Sequence, residues 1–354
     1  KKLSSGDKTL YFSYPKNGTS IEALKPENYI RTRDDEYVLK EIDTGKQKNS
    51  YVATLNIEEL EHTEFTYGFE SRTQTARDCL EFAFDGTGWK VGECTIEKRR
   101  TISIEDAATA WDVLQEVLDT YMCECTIDSL TKTVNIYEQI GSDKGAYFIE
   151  GLNLRKLQLK SDTYDFYTRI YPIGKDGITP QIMLGVPYID NHQYTDKVIS
   201  KVWKDERYTV TENLIEDARE KLETASRPYT SYTAEVADLA AQSDLYDELD
   251  YDIGDTVYLV SKTERVKEKQ RIVKITEYPM NPKKNTVELS NITKTFEQVQ
   301  QETEEKNLSD AVDVSTNRTK KILKDGYWTK EESKAAISAS NDEIKTTVEA
   351  VREE

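Results

Sequence analysis

"YDIGDTVYLV", residues 251–260, places an acidic turn with one glycine (Asp252, Gly254, Asp255) directly before an alternating strand. Val257 and Leu259 fall on one face of that strand, because side chains two apart point the same way. "RIVKITEY" (271–278) and "NTVELSNI" (285–292) repeat the alternation. The charged "KTERVKEKQ" (262–270) reads as a hairpin tip and "PMNPKKN" (279–285) as a loop. An antiparallel meander of this kind finishes a small barrel. Gly254 supplies the positive φ that a tight entry turn needs.

Upstream of the meander, "YTSYTAEVADL" (229–239) is a further strand. Before it a helix is expected from about 211 to 225, with Leu214, Ala218 and Leu222 in phase and Pro228 enforcing its end. "LNLRKLQLKS" (152–161) and "TRIYPIG" (168–174) read as strands; "KDG" (175–177) and "GVPYIDN" (185–191) read as loops and turns. At the other end of the chain, "TLYFSYP" (9–15), "EYVLKEID" (36–43) and "SYVATLNI" (50–57) carry β-branched and aromatic residues between polar turns such as "PKNG" (15–18).

Between these strand-rich stretches the period changes. Ala76, Leu80 and Ala83 predict a helix over 73–84, stopped by "DGTG" (85–88). A second helix is expected over 103–121. Ser103 is its N-cap, Glu105 and Asp106 stand in the first turn, and Ala107, Trp111, Leu114, Leu118 and Tyr121 form one apolar face. "CECTID" (123–128) and "TVNIYEQ" (133–139) form a hairpin around "SLTK" (129–132), so 73–150 is a small α/β unit. Beyond Phe296 the sequence is rich in helix formers, and Ile337, Ile344 and Val351 recur every seven residues. Small or polar residues between them leave that helix needing a partner.

The whole chain has 354 residues, enough for two or three domains. Its 22 tyrosines against 8 phenylalanines favour strands and folded structure over disorder. The formal charge of −18 is the wrong sign for gripping phosphates or acidic lipids. It serves solubility, or a surface that must not stick to DNA. No stretch approaches 18 apolar residues, and no signal peptide is visible. The chain begins without Met and ends within a helical pattern, which we read as a piece of a longer polypeptide.

No motif announces chemistry. "GTGWKVG" (86–92) is G-x-G-x-x-x-G after a helix, not a nucleotide loop after a strand, and is read as a strand turn. "EELEHTE" (58–64) gathers Glu59, Glu61, His62 and Glu64, but at no helical zinc spacing; a solvated strand or loop edge is expected. Cys123 and Cys125 lie two apart rather than as C-x-x-C, and with Cys79 and Cys94 are expected to be buried and reduced, as in a cytoplasmic product. The only histidines are His62 and His192, and no Ser–His or Cys–His arrangement or nucleophile elbow is visible. Trp89, Trp111, Trp203 and Trp328 are too scattered to form a sugar platform. No catalytic, cofactor-binding or metal-binding residue is assigned.

Four segments in order, "DGTGWKVG", "AWDVLQEVLDTYMCECTID…KTVNIYEQIGSDKG", "LNLRKLQLKSDTYDFYTRIYPIGKDG" and "LDYDIGDTVYLV…RIVKITEYPMNPKKNTVELSN", resemble the N-terminal region of phage minor structural tail proteins. That family is also labelled prophage endopeptidase tail or tail-associated lysin, and the resemblance spans roughly residues 10–295. It implies an α+β, mainly β fold: two small β-barrel domains with α/β insertions, as in contractile-tail baseplate hubs, plus a C-terminal helical extension. The expected division is 1–72 with part of 151–240 as the first barrel, 73–150 as the α/β insertion, 160–295 as the interleaved second barrel, and 296–354 as the helical extension.

The implied role is a structural hub at a phage or prophage tail tip, a homotrimer that joins the tail tube or a distal tail protein to downstream tip modules. It would enclose a passage for phage DNA without binding it tightly and would not insert into a membrane. It would be assembled in the bacterial cytoplasm into the virion tail. A cell-wall endopeptidase and a host-surface-binding tail protein are the alternatives.

Overall fold

A computed structural model describes residues 1–291 apart from Ser4. The helical extension expected over 296–354 lies outside the described residues. The chain opens with β1 (Thr9–Pro15), β2 (Tyr29–Arg31), β3 (Glu36–Thr44) and β4 (Lys48–Leu55). They form an antiparallel sheet in the order β1-β4-β3-β2. Alternation places Leu39, Tyr51 and Ala53 on the buried face, where Phe12 stacks on Tyr51 with centroids 4.9 Å apart.

An α/β unit follows. Its elements are α1 (Glu58–Glu61), β5 (Glu64–Phe65), β6 (Phe69–Thr75), α2 (Ala76–Ala83), β7 (Lys90–Cys94), β8 (Arg99–Ile104), β9 (Ala108–Thr109), α3 (Ala110–Tyr121), β10 (Glu124–Asp128) and β11 (Thr133–Tyr137). The hairpin of β10 and β11 forms as expected around 129–132, and β7 adds to it in parallel. Two helix starts move. Residues 73–75 belong to β6, and Thr75 caps α2 by accepting from the Asp78 amide. Ser103 is no cap: it sits in β8, opposite Glu70 of β6.

The reason lies three residues ahead of the apolar run. Thr109 Oγ1 accepts from the Asp112 amide at 3.1 Å while Asp112 Oδ2 accepts from the Thr109 amide at 2.7 Å, a reciprocal cap that starts α3. Glu105 and Asp106 therefore lie outside the first turn, and Ala107 is exposed. Val113, Leu114, Val117, Leu118 and Tyr121 are buried, with Trp111 half-buried at the margin. Thr109→Ala should cost about 1 kcal/mol in a thermal melt, whereas Ser103→Ala should stay within about 0.5 kcal/mol. Equal effects would put the cap back at Ser103.

The remaining strands close the fold. They are β12 (Tyr147–Ile149), β13 (Leu154–Asp162), then a 163–228 insert, then β17 (Tyr229–Val236), β18 (Thr256–Ser261), β19 (Val266–Thr276) and β20 (Asn285–Ser290). The insert holds β14 (Arg169–Ile173), α4 (Gln181–Leu184), β15 (Ile189–Asp190), β16 (Ser200–Lys204) and α5 (Thr211–Ala225). A two-residue strand thus stands within 185–191, where only loops and turns are expected. The charged 262–270 stretch is likewise mostly strand.

The six-stranded sheet runs β12-β18-β19-β20-β17-β13. Val257 and Leu259 are buried in its core with Phe148, Ile272, Val287 and Leu289. β19 pairs with β18 as far as Arg271, and beyond it the chain start takes up that edge: the Leu3 amide donates to Val273 O and the Ile275 amide to Lys1 O, both at 3.0 Å. The fold is α+β, mainly β, with sheets curled into half-barrels.

Candidate assembly surface

The "DIGD" turn that opens the meander joins two parts of the fold. Asp255 is almost fully buried, yet it accepts from the Ser142 amide at 2.8 Å, from Lys144 Nζ at 2.9 Å and from the Asp252 amide at 2.9 Å. These donors offset the cost of burying its charge. Gly254 (φ +85°) lies flat against Gly141 (φ +79°); a Cβ on Gly141 would stand 2.2 Å from Gly254 C. Arg271 of β19 spans the same junction. Its guanidinium donates to Glu124 Oε2 at 2.6 Å, to Ile140 O at 2.6 Å and to Gly254 O at 2.9 Å. The α/β unit is thereby held on the six-stranded sheet in one register.

Open strand edges surround this core. Among the described residues β13 ends the six-stranded sheet: it forms a ladder with β17 and, apart from that, one isolated bridge between Leu154 and Glu150, and Leu159 on it is 52% exposed. β1 ends the four-stranded sheet, with Tyr11 exposed. A third surface is the insert's sheet, ordered β15-β14-β16, with α5 covering one face through Ile170, Ala218 and Leu222. Alternation puts Arg169, Tyr171 and Val202 on the other face. There the Arg169 guanidinium lies 3.8 Å over the Tyr188 ring and forks onto Asp190 at 2.6 and 2.7 Å. Half-buried Tyr and Arg beside the exposed Val202 is the composition of protein–protein interfaces.

The residues singled out in the sequence do not converge. "EELEHTE" is one helical turn rather than a strand or loop edge: Leu60 points into the core, and backbone bonds from Glu61 to Ile57 O and from His62 to Glu58 O close it. Glu59 accepts from Trp89 Nε1 at 3.1 Å and from Lys132, so its carboxylate serves packing. His192 is in the insert, its Nε2 3.9 Å from Asp190. Trp111 packs beside the α/β core, Trp203 packs edge-on to Tyr208, and Trp328 lies outside the described residues.

The thiols are free, and burial pushes those of Cys79 and Cys125 up to about 12 and that of Cys123 well above its ordinary value. A nucleophilic thiol needs the opposite shift. At pH 8 these three should resist an aromatic disulfide reagent until the chain unfolds; rapid native labelling of any of them would contradict the packing.

One cluster escaped the sequence. Arg100 of β8 donates from Nε and Nη2 to both oxygens of Asp217 at 2.7 Å and from Nη2 to Glu216 at 2.9 Å; Tyr208 Oη adds 2.6 Å to Asp217. Asp217 is fully buried. Burial alone would lower the Arg100 pKa, but the Asp217 carboxylate overrides it and holds the guanidinium charged. A separation of 117 residues carries no local signal.

Family models match the chain twice: "Prophage endopeptidase tail domain" over residues 64–136 and "Prophage endopeptidase tail" over 142–300. A search of curated proteins returned no match. Among solved structures, the prophage tail protein gp18 from Listeria monocytogenes EGD-e is similar at a TM-score of 0.59 and 18% identity, covering 82% of this chain and 87% of that one. The 43 kDa tail protein of prophage MuSo2 from Shewanella oneidensis gives 0.58, 11%, 82% and 93%. A tail protein from Neisseria meningitidis MC58 gives 0.57, 10%, 82% and 89%. At these identities the likeness is one of fold.

Proposed function

We propose a structural role for this chain, which belongs to the prophage endopeptidase tail family: a hub of the tail tip, three copies of which form a ring between the tail tube and distal tip modules. The observation that carries this reading is the pair of curled sheets that end, among the described residues, in the long edge strands β13 and β1. An open edge is a hazard unless another element covers it, and a neighbouring copy in a closed ring does so. Two barrel-like units in each of three copies present six quasi-equivalent surfaces, which matches a hexameric tube to a threefold tip. The division into 1–72 with part of 151–240, the 73–150 insertion, and 160–295 is the domain plan on which this count rests.

The ring encloses a passage for DNA, and the formal charge of −18 per chain keeps passing phosphate from being held. Among the described residues no helix is long and apolar enough to cross a membrane. The role accordingly needs no catalytic group. The family label favours a wall-cutting peptidase as the second reading, and the raised thiols speak against a cysteine nucleophile in it.

Light scattering over a concentration series tests the hub: a trimer supports it, and a strict monomer at high concentration or a stable dimer sinks it. Repeating the series after truncation near Phe296 separates ring contacts from helical ones. Clearing of purified peptidoglycan, abolished by one point substitution, would establish the peptidase instead.

A further inference from the structure

The 163–228 insert has the anatomy of a movable arm. Asp162 at the end of β13 pairs with Tyr229 at the start of β17, so the insert leaves and re-enters through one end of a single strand pair. It has its own apolar cluster, Ile170, Ala218 and Leu222 with Tyr167, Ile189 and Trp203, which shares no residue with the cores of the α/β unit or the six-stranded sheet. Side chains tie the arm to the α/β unit through charge. Arg100 forks onto Asp217 and reaches Glu216, Lys98 stands 3.5 Å from Glu220, and Arg207 donates to Thr120 Oγ1 at 2.7 Å and to the Glu116 carboxylate. A cavity of about 40 Å³, lined by Thr73, Arg99, Thr101, Thr209, Val210 and Asn213 beside Arg100 and Arg207, interrupts the packing along this seam.

We propose that residues 163–228 form an arm with two positions, docked on the α/β unit by this polar latch and released by rotation about the two-stranded neck. The chemistry of the seam permits both. A planar guanidinium meeting a carboxylate through two parallel bonds accepts one geometry, so the docked arm has one register. On release, Arg100 and Asp217 both return to water and recover their hydration, while the arm keeps its own core. An apolar seam would instead expose its core on opening. Polar seams between parts of one chain are the ones across which relative motion is expected.

Spin labels on Glu81→Cys in α2 and Glu212→Cys in α5 report the position of the arm by their separation in the full chain, with the half-buried Cys94 replaced by Ser throughout. Both sites are exposed. The background chain gives one narrow distance. Arg100→Ala raises the population at longer distance about tenfold or more, the response of a two-state equilibrium that has lost one differential contact. Near-UV circular dichroism and the thermal midpoint of the remaining fold stay cooperative. Because Arg100→Ala leaves Asp217 buried and unpaired, Arg100→Ala with Asp217→Ala is made in parallel; it removes both charges and shows the same long-distance population. The proposal is overturned if this double variant keeps the single docked distance, or if it loses its fold altogether, since the pair would then be glue within one cooperative body.

Discussion

Gly141→Ala lowers the stability of the chain by about 3 kcal/mol or more. Two costs combine. The residue sits at φ +79°, a left-handed conformation that costs a side-chain-bearing residue about 1–3 kcal/mol. The added methyl would also meet Gly254 C at 2.2 Å, Gly254 O at 2.4 Å and Asp255 N at 2.5 Å. These are backbone atoms that no rotamer change can move aside, and forcing them apart costs a further ~1–3 kcal/mol. The displacement would pull Asp255 from the Ser142 amide and Arg271 from Ile140 O. Gly145→Ala is the control: it has φ +82° with nothing within 4 Å of the added methyl, and should lose only the conformational part. Urea denaturation of the two variants measures the difference. Equal midpoints would mean that the 141–254 contact yields easily and does not hold the junction.

Tyr121→Ala has a comparable effect, about 3–5 kcal/mol, as for other large aromatic side chains removed from a core. Tyr121 is fully buried at the end of α3, among the side chains of the α/β core. Its hydroxyl donates to Gln74 O at 2.7 Å across the β6 bulge. Tyr121→Phe keeps the ring and should cost about 1 kcal/mol for the lost hydrogen bond. Thermal melts of both variants separate ring packing from the bond. If Tyr121→Phe alone costs as much as Tyr121→Ala, the hydroxyl and not the ring anchors α3.

Period was the part of the fold most readable in advance. The 9–15, 36–43 and 229–239 strands, the 211–225 helix and the 123–139 hairpin lie close to where alternation and helical phase put them, because each buries one face of a local repeat. Helix starts were less readable. Ser103 and Thr109 are both good capping residues, and only the pairing of residues 99–104 with 69–75 removes Ser103 from competition. "EELEHTE" failed for a similar reason: four residues are too few to carry a period, and the burial of Leu60 decides their shape. Among residues of possible function, the structure keeps Glu59 and His62 in one helical turn, where Glu59 bonds Trp89 and Lys132, and places His192 apart from them in the insert.

From the residues themselves came the kind of elements, their order, the entry turn at Gly254 and an acidic surface ill-suited to phosphate; the ordered segments added a resemblance to phage tail proteins. All of these rest on local pattern or on composition, which a linear chain displays. Tertiary structure alone decided that the "DIGD" turn clasps residues 140–146, that the chain start takes up the edge of β19 beyond its pairing with β18, and that Arg100 meets Asp217. Each of those contacts joins residues more than a hundred positions apart. At that range the sequence carries no spacing to read, and only burial and hydrogen-bond geometry choose the partner.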